Sequence, residues 1–243
     1  VAVRWRKSSI HSVIQSLWLP ALVSVVIGLI FPLLYGPSFD LHVALGITLT
    51  SWIVLTAFKD YSLKFRNAES IWKKCVKIPL SYYGMMIAHI GFAVTIVGVT
   101  LVSIFSEERD IRMVPGDRIE FSEYIFEFKG ASPIQGPNYA ADQGKIEVSR
   151  NGDSIVTLYP EKRRYNVQGS IMTEAAIDPG LFRDLYVALG EPLGDEAWAV
   201  RVHYKPFVRW LWLGGILMSL GGVIAVADKR YRKKRSSGEP VNA

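Results

Sequence analysis

The sequence predicts a membrane protein in which four transmembrane α-helices form a bundle and a mainly β domain is inserted between the third and fourth helices. Hydrophobic residues make up 50% of the 243 residues, and they are gathered into four runs long enough to cross a bilayer. Basic residues flank these runs unevenly, as they do in multi-pass membrane proteins. Between the third and fourth runs, residues 106–206 contain stretches of alternating apolar and polar side chains, which is typical of strands.

Four spans are predicted, at residues 16–35, 41–58, 80–105 and 207–227. The first three belong to a transmembrane region over residues 1–105. The third span contains no Asp, Glu, Lys or Arg, and as a helix its 26 residues would reach about 39 Å, enough to cross the hydrocarbon core with some tilt. No small-residue cleavage site follows the first run, so we predict no cleavable signal peptide. Since the chain begins with valine, we interpret it as part of a longer protein.

Lysine and arginine predict the orientation of the spans. They concentrate in the lead-in at residues 4–7, in residues 59–79 and in the tail at residues 228–243, whereas residues 106–206 hold 17 acidic against 12 basic side chains. By the positive-inside rule, both termini lie in the cytoplasm and residues 106–206 in the periplasm, as in a bacterial inner-membrane protein. The net charge of +6 then reflects topology and contact with membrane lipid, and no nucleic-acid partner is predicted. Residues 59–79, which place Trp72 among lysines, are expected to form an interfacial helix.

Residues 106–206 are expected to form a small β-barrel or sandwich built from five or six short strands. The clearest signal is the hairpin at residues 145–159, in which Asn151 and Gly152 tolerate the positive φ that a type I′ turn requires. Other predicted strands cover residues 119–121, 124–129, 185–189 and 198–204. The single cysteine, Cys75, lies outside this domain, so no disulfide is predicted there, and the absence of a Cys-x-x-Cys-His motif excludes a c-type cytochrome.

Small residues predict close helix packing in two of the spans. On a 3.6-residue wheel, the third span carries one narrow face of small residues: Gly84, Ala88, Gly91, Thr95 and Gly98. The fourth span contains two glycine pairs, at residues 214–215 and 221–222, and begins with Trp210 and Trp212, which suit an interfacial aromatic belt. We expect all four glycines to let the fourth helix approach its neighbours closely.

His89 lies in the middle of the third span and is the principal candidate for a functional residue. It shares the bulkier side of the helix with Met85, Phe92 and Ile96. A surface of large apolar side chains around one imidazole suits a flat apolar cofactor, but ordinary helix packing produces the same arrangement. Because a histidine inside a membrane is costly without a partner, two interpretations stay open. His89 is a ligand or proton relay, or it is a hydrogen-bonded structural residue.

The other three histidines are expected to have ordinary roles. His11 lies in the basic lead-in to the first span, where solvation is the simplest interpretation. His42 begins the second span, where ligation or proton relay is one interpretation, but it is expected to contact water at the membrane interface. His203 lies on the last predicted strand and is expected to form a cross-strand surface pair.

Two motifs resemble a known family. The stretch from Tyr159 to Gly190 contains TEAAID followed by RDLY, and His89 lies in the sequence AHIG. Both are similar to the C-terminal region of the CcmF family, the cytochrome c haem lyases of the bacterial Ccm maturation system, and to related nitrite-reductase assembly proteins. The likeness covers essentially the whole chain, but family members are much longer, and this chain corresponds to about their last third.

The resemblance implies a cofactor and a site. Members of the CcmF family bind a b-type haem (haem b) in the membrane between two histidines, and the histidine in AHIG matches His89. Met85 and Phe92 would then line the haem pocket. The second axial histidine and the periplasmic residues that handle incoming haem lie in the part of the family sequence absent here. The chain alone is therefore not expected to be catalytic.

The resemblance also implies a process and partners. The b-type haem would pass electrons that keep the substrate haem iron reduced while cysteine thiols of apocytochrome c add to its vinyl groups. The implied partners are the haem chaperone, apocytochrome c and other cytochrome c maturation subunits. Because the segment from Tyr159 to Gly190 mixes charged and apolar residues, we expect part of it to contact one of them; a solvated loop is the alternative interpretation. The alternative is a non-catalytic membrane anchor that displays a periplasmic protein-interaction domain.

Overall fold

The computed structural model describes residues 10–36, 38–66, 71–167 and 169–228. These residues form two compact units, one helical and one made of β-strands, and the β unit comprises residues 105–208. The basic lead-in at residues 4–7 and the tail from residue 229 onward, which contributed to the predicted orientation, lie outside the described residues.

Five α-helices make up the described helical unit. They are α1 (Ile10–Tyr35), α2 (Leu41–Phe65), α3 (Ile71–Lys77), α4 (Leu80–Phe105) and α5 (Val208–Val226). All except α3 are long and apolar enough to cross a membrane, so the predicted set of four long apolar helices is confirmed. Asp40 caps α2 by accepting hydrogen bonds from the amides of His42 and Val43, at 2.8 and 3.0 Å. The sequence placed the end of the second span at Phe58, but α2 continues to Phe65 because helix formation does not stop where the apolar run stops.

The β unit contains ten strands, more than the five or six predicted. They are β1 (Glu107–Met113), β2 (Arg118–Phe121), β3 (Tyr124–Gln135), β4 (Tyr139–Arg150), β5 (Asp153–Leu158), β6 (Glu161–Tyr165), β7 (Ile171–Glu174), β8 (Ala176–Pro179), β9 (Arg183–Gly194) and β10 (Ala197–Pro206). One antiparallel sheet has the order β1-β10-β9-β8, and the other has the order β2-β3-β4-β6-β7 with β5 paired to β4. The domain is thus a sandwich of two sheets, which confirms one of the two predicted architectures.

The core of the sandwich lies between the inner faces of the two sheets. Alternate residues of β3, such as Phe126 and Phe128, are completely buried, and so are alternate residues of β9 such as Leu185 and Val187. This period of two is the pattern that strands with one buried face require. The predicted turn at Asn151 and Gly152 is confirmed, since their φ angles are 53° and 90°.

The sequence did not predict β1, β6, β7 or β8. Strand β1 reads EERDIRM and strand β6 reads EKRRY. Their many charged side chains hide the alternation of apolar and polar residues that identifies a half-buried strand. Three of the four missed strands, β1, β7 and β8, are at the ends of the two sheet orders. Strands at such positions are defined by backbone pairing to one neighbour rather than by a continuous apolar face.

Candidate functional site

Helix α4, which carries His89, is fixed along one side by α5. A Cβ atom placed on Gly84 would lie 2.4 Å from the carbonyl oxygen of Gly221, and one placed on Gly91 would lie 2.8 Å from that of Gly214. Backbone meets backbone at these points, so a larger side chain does not fit. The predicted small-residue face of α4 is therefore confirmed as a packing surface.

Only half of the prediction for α5 is confirmed. Gly214 and Gly221 face α4, where a Cβ would lie 2.6 Å from the oxygen of Gly91 and 2.5 Å from that of Gly84. Gly215 and Gly222 would place a Cβ where no described atom lies within 4 Å, so no described helix packs closely against them. The expectation for these two glycines was wrong because adjacent helix positions point about 100° apart.

A buried carboxylate joins the start of α4 to the end of α5. The amide of Ser81 donates a hydrogen bond of 3.0 Å to Oδ2 of Asp228, whose relative exposure is 5%. The first amides of a helix have no partner inside the helix, and the positive end of its dipole favours a negative charge. The sequence had placed Asp228 in the basic tail and missed this role. A single acid directly after an apolar span and before a basic run was the available signal.

A second set of contacts fixes α4 to α2. The hydroxyl of Tyr82 donates to Oδ2 of Asp60 at 2.8 Å, and the ammonium of Lys64 lies 4.4 Å from the centroid of the Tyr82 ring. Asp60 and Lys64 belong to the part of α2 beyond the predicted span. Contacts with two different helices therefore set the position of α4.

His89 itself has one ring nitrogen bound and one available. Its Nδ1 lies 2.8 Å from the carbonyl oxygen of Met85, one turn earlier in α4. A carbonyl oxygen can only accept, so Nδ1 carries the proton and the lone pair of the neutral ring is on Nε2. Within the described part of the chain, Nε2 has no hydrogen-bond partner, and the residue is exposed. In metal-binding histidines, the ring nitrogen that does not bind the metal commonly donates a hydrogen bond to a backbone carbonyl or a carboxylate, and this bond orients the ring.

His89 opens onto a cleft between α1, α2 and α4. The cleft is lined by Ser16, Leu17, Ile53, Thr56, Ala57, Lys59, Asp60, Leu63, Met85, Met86 and His89. Its volume is about 190 Å³, below the range of roughly 300–1,000 Å³ that holds most small ligands. Met85 lines the cleft beside His89, whereas Phe92 does not line it and is 50% exposed. The cleft provides one wall of a site and a single imidazole.

The remaining histidines do not line this cleft. His42 is in the first turn of α2, where its ring is 81% exposed and Nδ1 lies 3.6 Å from the Asp40 carboxylate. Nε2 of His11 lies 2.9 Å from Nε2 of Gln15 on the exposed side of α1. His203 pairs across strands with Glu108, as expected, at 3.4 Å. Burial lowers the pKa of His203, and the Glu108 carboxylate partly opposes that shift.

The helices and the sandwich together define a class: a multi-pass membrane protein with a β-sandwich inserted before its last described helix and an exposed histidine in the middle of a membrane-spanning helix. The family model of the CcmF C-terminal β-sandwich matches residues 104–206. The chain corresponds to the C-terminal portion of the CcmF family.

Two relatives show how much of the family sequence is represented. The chain is 47% identical over 234 residues to the cytochrome c-type biogenesis protein CcmF of Pseudomonas aeruginosa, covering 96% of this chain and 35% of that protein. It is 42% identical over 234 residues to the protein of the same name from Escherichia coli K12, with the same coverage of 96% and 35%. The chain thus spans about a third of the length of the curated relatives it matches.

The fold is also similar to that of a solved protein. A structure described as cytochrome c heme lyase CcmF aligns with a TM-score of 0.73 over 93% of this chain and 36% of that one. The two sequences are 16% identical in this alignment, so the comparison supports the fold alone.

Proposed function

We propose that this chain is the C-terminal part of a cytochrome c haem lyase, in which Nε2 of His89 is an axial ligand of a membrane b-type haem. The observation that carries the proposal is the hydrogen bond from Nδ1 of His89 to the carbonyl of Met85, which leaves a lone pair on an exposed Nε2. Neutral imidazole is a common axial ligand of haem iron. The names of the relatives, cytochrome c-type biogenesis protein and heme lyase, agree with this assignment.

The size of the cleft suits a shared site. A cleft of about 190 Å³ cannot enclose a porphyrin, but an open wall with one imidazole can cover one face of it. The opposite face and the second axial ligand would come from the part of the family sequence that this chain does not span. Met85 would contact the ring from the cleft, and the half-exposed Phe92 would contact it from the surface of α4.

The residues of this chain would hold and tune the cofactor. When bound, the haem supplies one-electron chemistry, which in cytochrome c maturation would keep substrate iron reduced during attachment to apocytochrome c. The Met85 carbonyl fixes the tautomer and orientation of the His89 ring and increases the basicity of Nε2. Because α5 and α2 hold α4 by backbone contacts and by the Asp60–Tyr82 bond, the imidazole is positioned before the cofactor binds.

The proposed protein partners are the haem chaperone, apocytochrome c and other maturation subunits. Within the segment from Tyr159 to Gly190, the β6–β7 hairpin offers the surface for such a contact. Val167, Ile171 and Met172 are 93%, 57% and 51% exposed there. An exposed apolar hairpin is also what the alternative function requires, in which the chain is a non-catalytic anchor displaying the sandwich and His89 is structural.

The haem spectrum of a reassembled protein separates these two functions. The chain expressed alone should hold haem weakly, in a five-coordinate high-spin form, since it provides one axial imidazole. Co-expression with the upstream two-thirds of a CcmF relative should give a six-coordinate, low-spin b-type spectrum. Reassembly of both parts without any haem absorption, while the two parts co-purify, would favour the anchor.

We also propose that both termini are cytoplasmic and that the β-sandwich is periplasmic in the inner membrane of a bacterium. Basic residues on one side of the spans support this orientation. Cys75, the single cysteine, is half-buried in α3 and would then face the cytoplasm. A membrane-impermeant maleimide should label it only in opened membranes, with a Cys75→Ser chain as the blank. Labelling in intact spheroplasts would reverse the orientation.

A further inference from the structure

The turn between β8 and β9, residues 180–182, displays two adjacent apolar side chains. Leu181 is 57% exposed and Phe182 is 59% exposed. Single exposed apolar residues are normal on protein surfaces, so exposure alone does not indicate a function. Two further features indicate a function for these side chains: the hydrogen bonds that hold the turn, and its position next to the start of α5.

Buried polar groups hold the turn in one conformation. The amide of Gly180 donates a hydrogen bond of 3.0 Å to Oδ1 of Asp184, whose relative exposure is 5%. Nε of Arg183 donates to the hydroxyl of Tyr124 at 2.9 Å, and its guanidinium also pairs with Asp178. The polar side chains at the base of the turn are therefore hydrogen-bonded within the sandwich, while the two apolar side chains at its tip are more than half exposed.

The strand register places the turn beside the start of a membrane span. Arg183 pairs with Pro206, so residues 180–182 lie beyond the last pair of β9 and β10, level with Phe207. The amide of Phe207 donates to the carbonyl of Phe182 at 3.0 Å, and the two rings lie 5.9 Å apart, edge to face. The next residue, Val208, begins α5, which is long and apolar enough to cross a membrane.

We propose that Leu181, Phe182 and Phe207 form a lipid-binding anchor that inserts into the headgroup boundary of the bilayer. Phe207 precedes the span by one residue, so it lies at the membrane surface wherever α5 enters, and its contacts carry Phe182 to the same depth. Aromatic and large aliphatic side chains are the residues that favour this boundary. The anchor would attach the sandwich to the membrane at one more point, in addition to its covalent connections to α4 and α5.

The opposite end of the sandwich supplies a matched control site. Tyr124, the first residue of β3, contacts Arg183 at the anchor end, and β3 runs from there to Gln135 at the other end. Val167 follows the pairing of Tyr165 with Tyr139 at that other end, and it is 93% exposed. It is apolar and accessible like Phe182, but the register keeps it away from Phe207.

The test uses the full chain in phosphatidylcholine–phosphatidylglycerol vesicles with Cys75→Ser as background. Phe182→Cys, Leu181→Cys and Val167→Cys proteins are each labelled with an environment-sensitive fluorophore and exposed to lipid-borne nitroxide or to aqueous iodide. We expect blue-shifted emission and several-fold stronger nitroxide quenching at positions 181 and 182, with strong iodide quenching at position 167. Equal iodide quenching at all three positions would overturn the anchor. Protection of positions 181 and 182 from both quenchers would also overturn it, because the turn would then be covered by protein.

Discussion

Replacement of Gly221 by valine should markedly destabilise the helical unit, whereas replacement of Gly222 by valine should not. A Cβ at Gly221 would lie 2.5 Å from the carbonyl oxygen of Gly84 and 2.7 Å from the amide nitrogen of Ala88. These are backbone atoms of α4, so the two helices must separate. Overpacking of this kind costs about 1–3 kcal/mol, and more where backbone must move.

The neighbouring glycine is a close control for this change. Gly222 is the next residue of the same helix and has the same helix propensity, but a Cβ there meets no described atom within 4 Å. Gly222→Val should keep or slightly raise the midpoint of thermal unfolding in detergent, because glycine is a poor helix former. Equal midpoints for the two variants would mean that α4 and α5 do not pack through this face.

The second large effect is expected at His89. His89→Ala should abolish or sharply weaken the b-type haem spectrum of the reassembled protein, because it removes the proposed axial nitrogen. Protein level in the membrane should stay near normal. The bond from Nδ1 to the Met85 carbonyl is one neutral hydrogen bond, worth about 0.5–1.5 kcal/mol, and alanine leaves no polar group without a partner in its place.

Two other histidines provide the controls for this variant. His42→Ala and His203→Ala should leave the haem spectrum intact, since His42 is in an exposed first turn of α2 and His203 pairs with Glu108 in the sandwich. Full haem occupancy in the His89→Ala protein would contradict ligation. Loss of the His89→Ala protein itself would favour the structural interpretation of this residue.

The four long helices and the close-packing face of α4 could be predicted because each depends on local sequence. An apolar run of sufficient length is a direct requirement of the bilayer, and a row of small residues such as Gly84, Gly91 and Gly98 is visible on a helical wheel. The Asn151–Gly152 turn was predictable for the same reason, since positive φ restricts the residue types that fit.

Features that depend on partners distant in the chain were not predictable. Asp228 caps a helix that begins at Leu80, and the pairing of Asp60 with Tyr82 depends on how α2 and α4 pack. Gly214 and Gly215 are adjacent glycines in the same apolar run, and only the orientation of α5 decides which of them contacts α4. The charged strands β1 and β6 are formed by pairing to neighbours that their own residues do not specify.

The candidate site also combines features that the sequence predicts with features that only the structure provides. The sequence identified His89 and its apolar surroundings, but two interpretations remained because periodicity does not show which ring nitrogen is bound. The structure adds the bond from Nδ1 to the Met85 carbonyl, the exposure of the residue and a cleft that includes Met85 but not Phe92. These features support the proposal of a ligand whose cofactor is covered on its other side by residues outside this chain.

Chemical rescue tests the ligand role of His89 most directly. In the reassembled protein carrying His89→Gly, a cavity replaces the imidazole, and added imidazole can occupy the position of Nε2 without a covalent link. We expect a five-coordinate, high-spin spectrum that returns to the six-coordinate, low-spin form as imidazole is added, with no such change in a His42→Gly control. A low-spin spectrum in the His89→Gly protein before any imidazole is added would contradict the ligand role of His89.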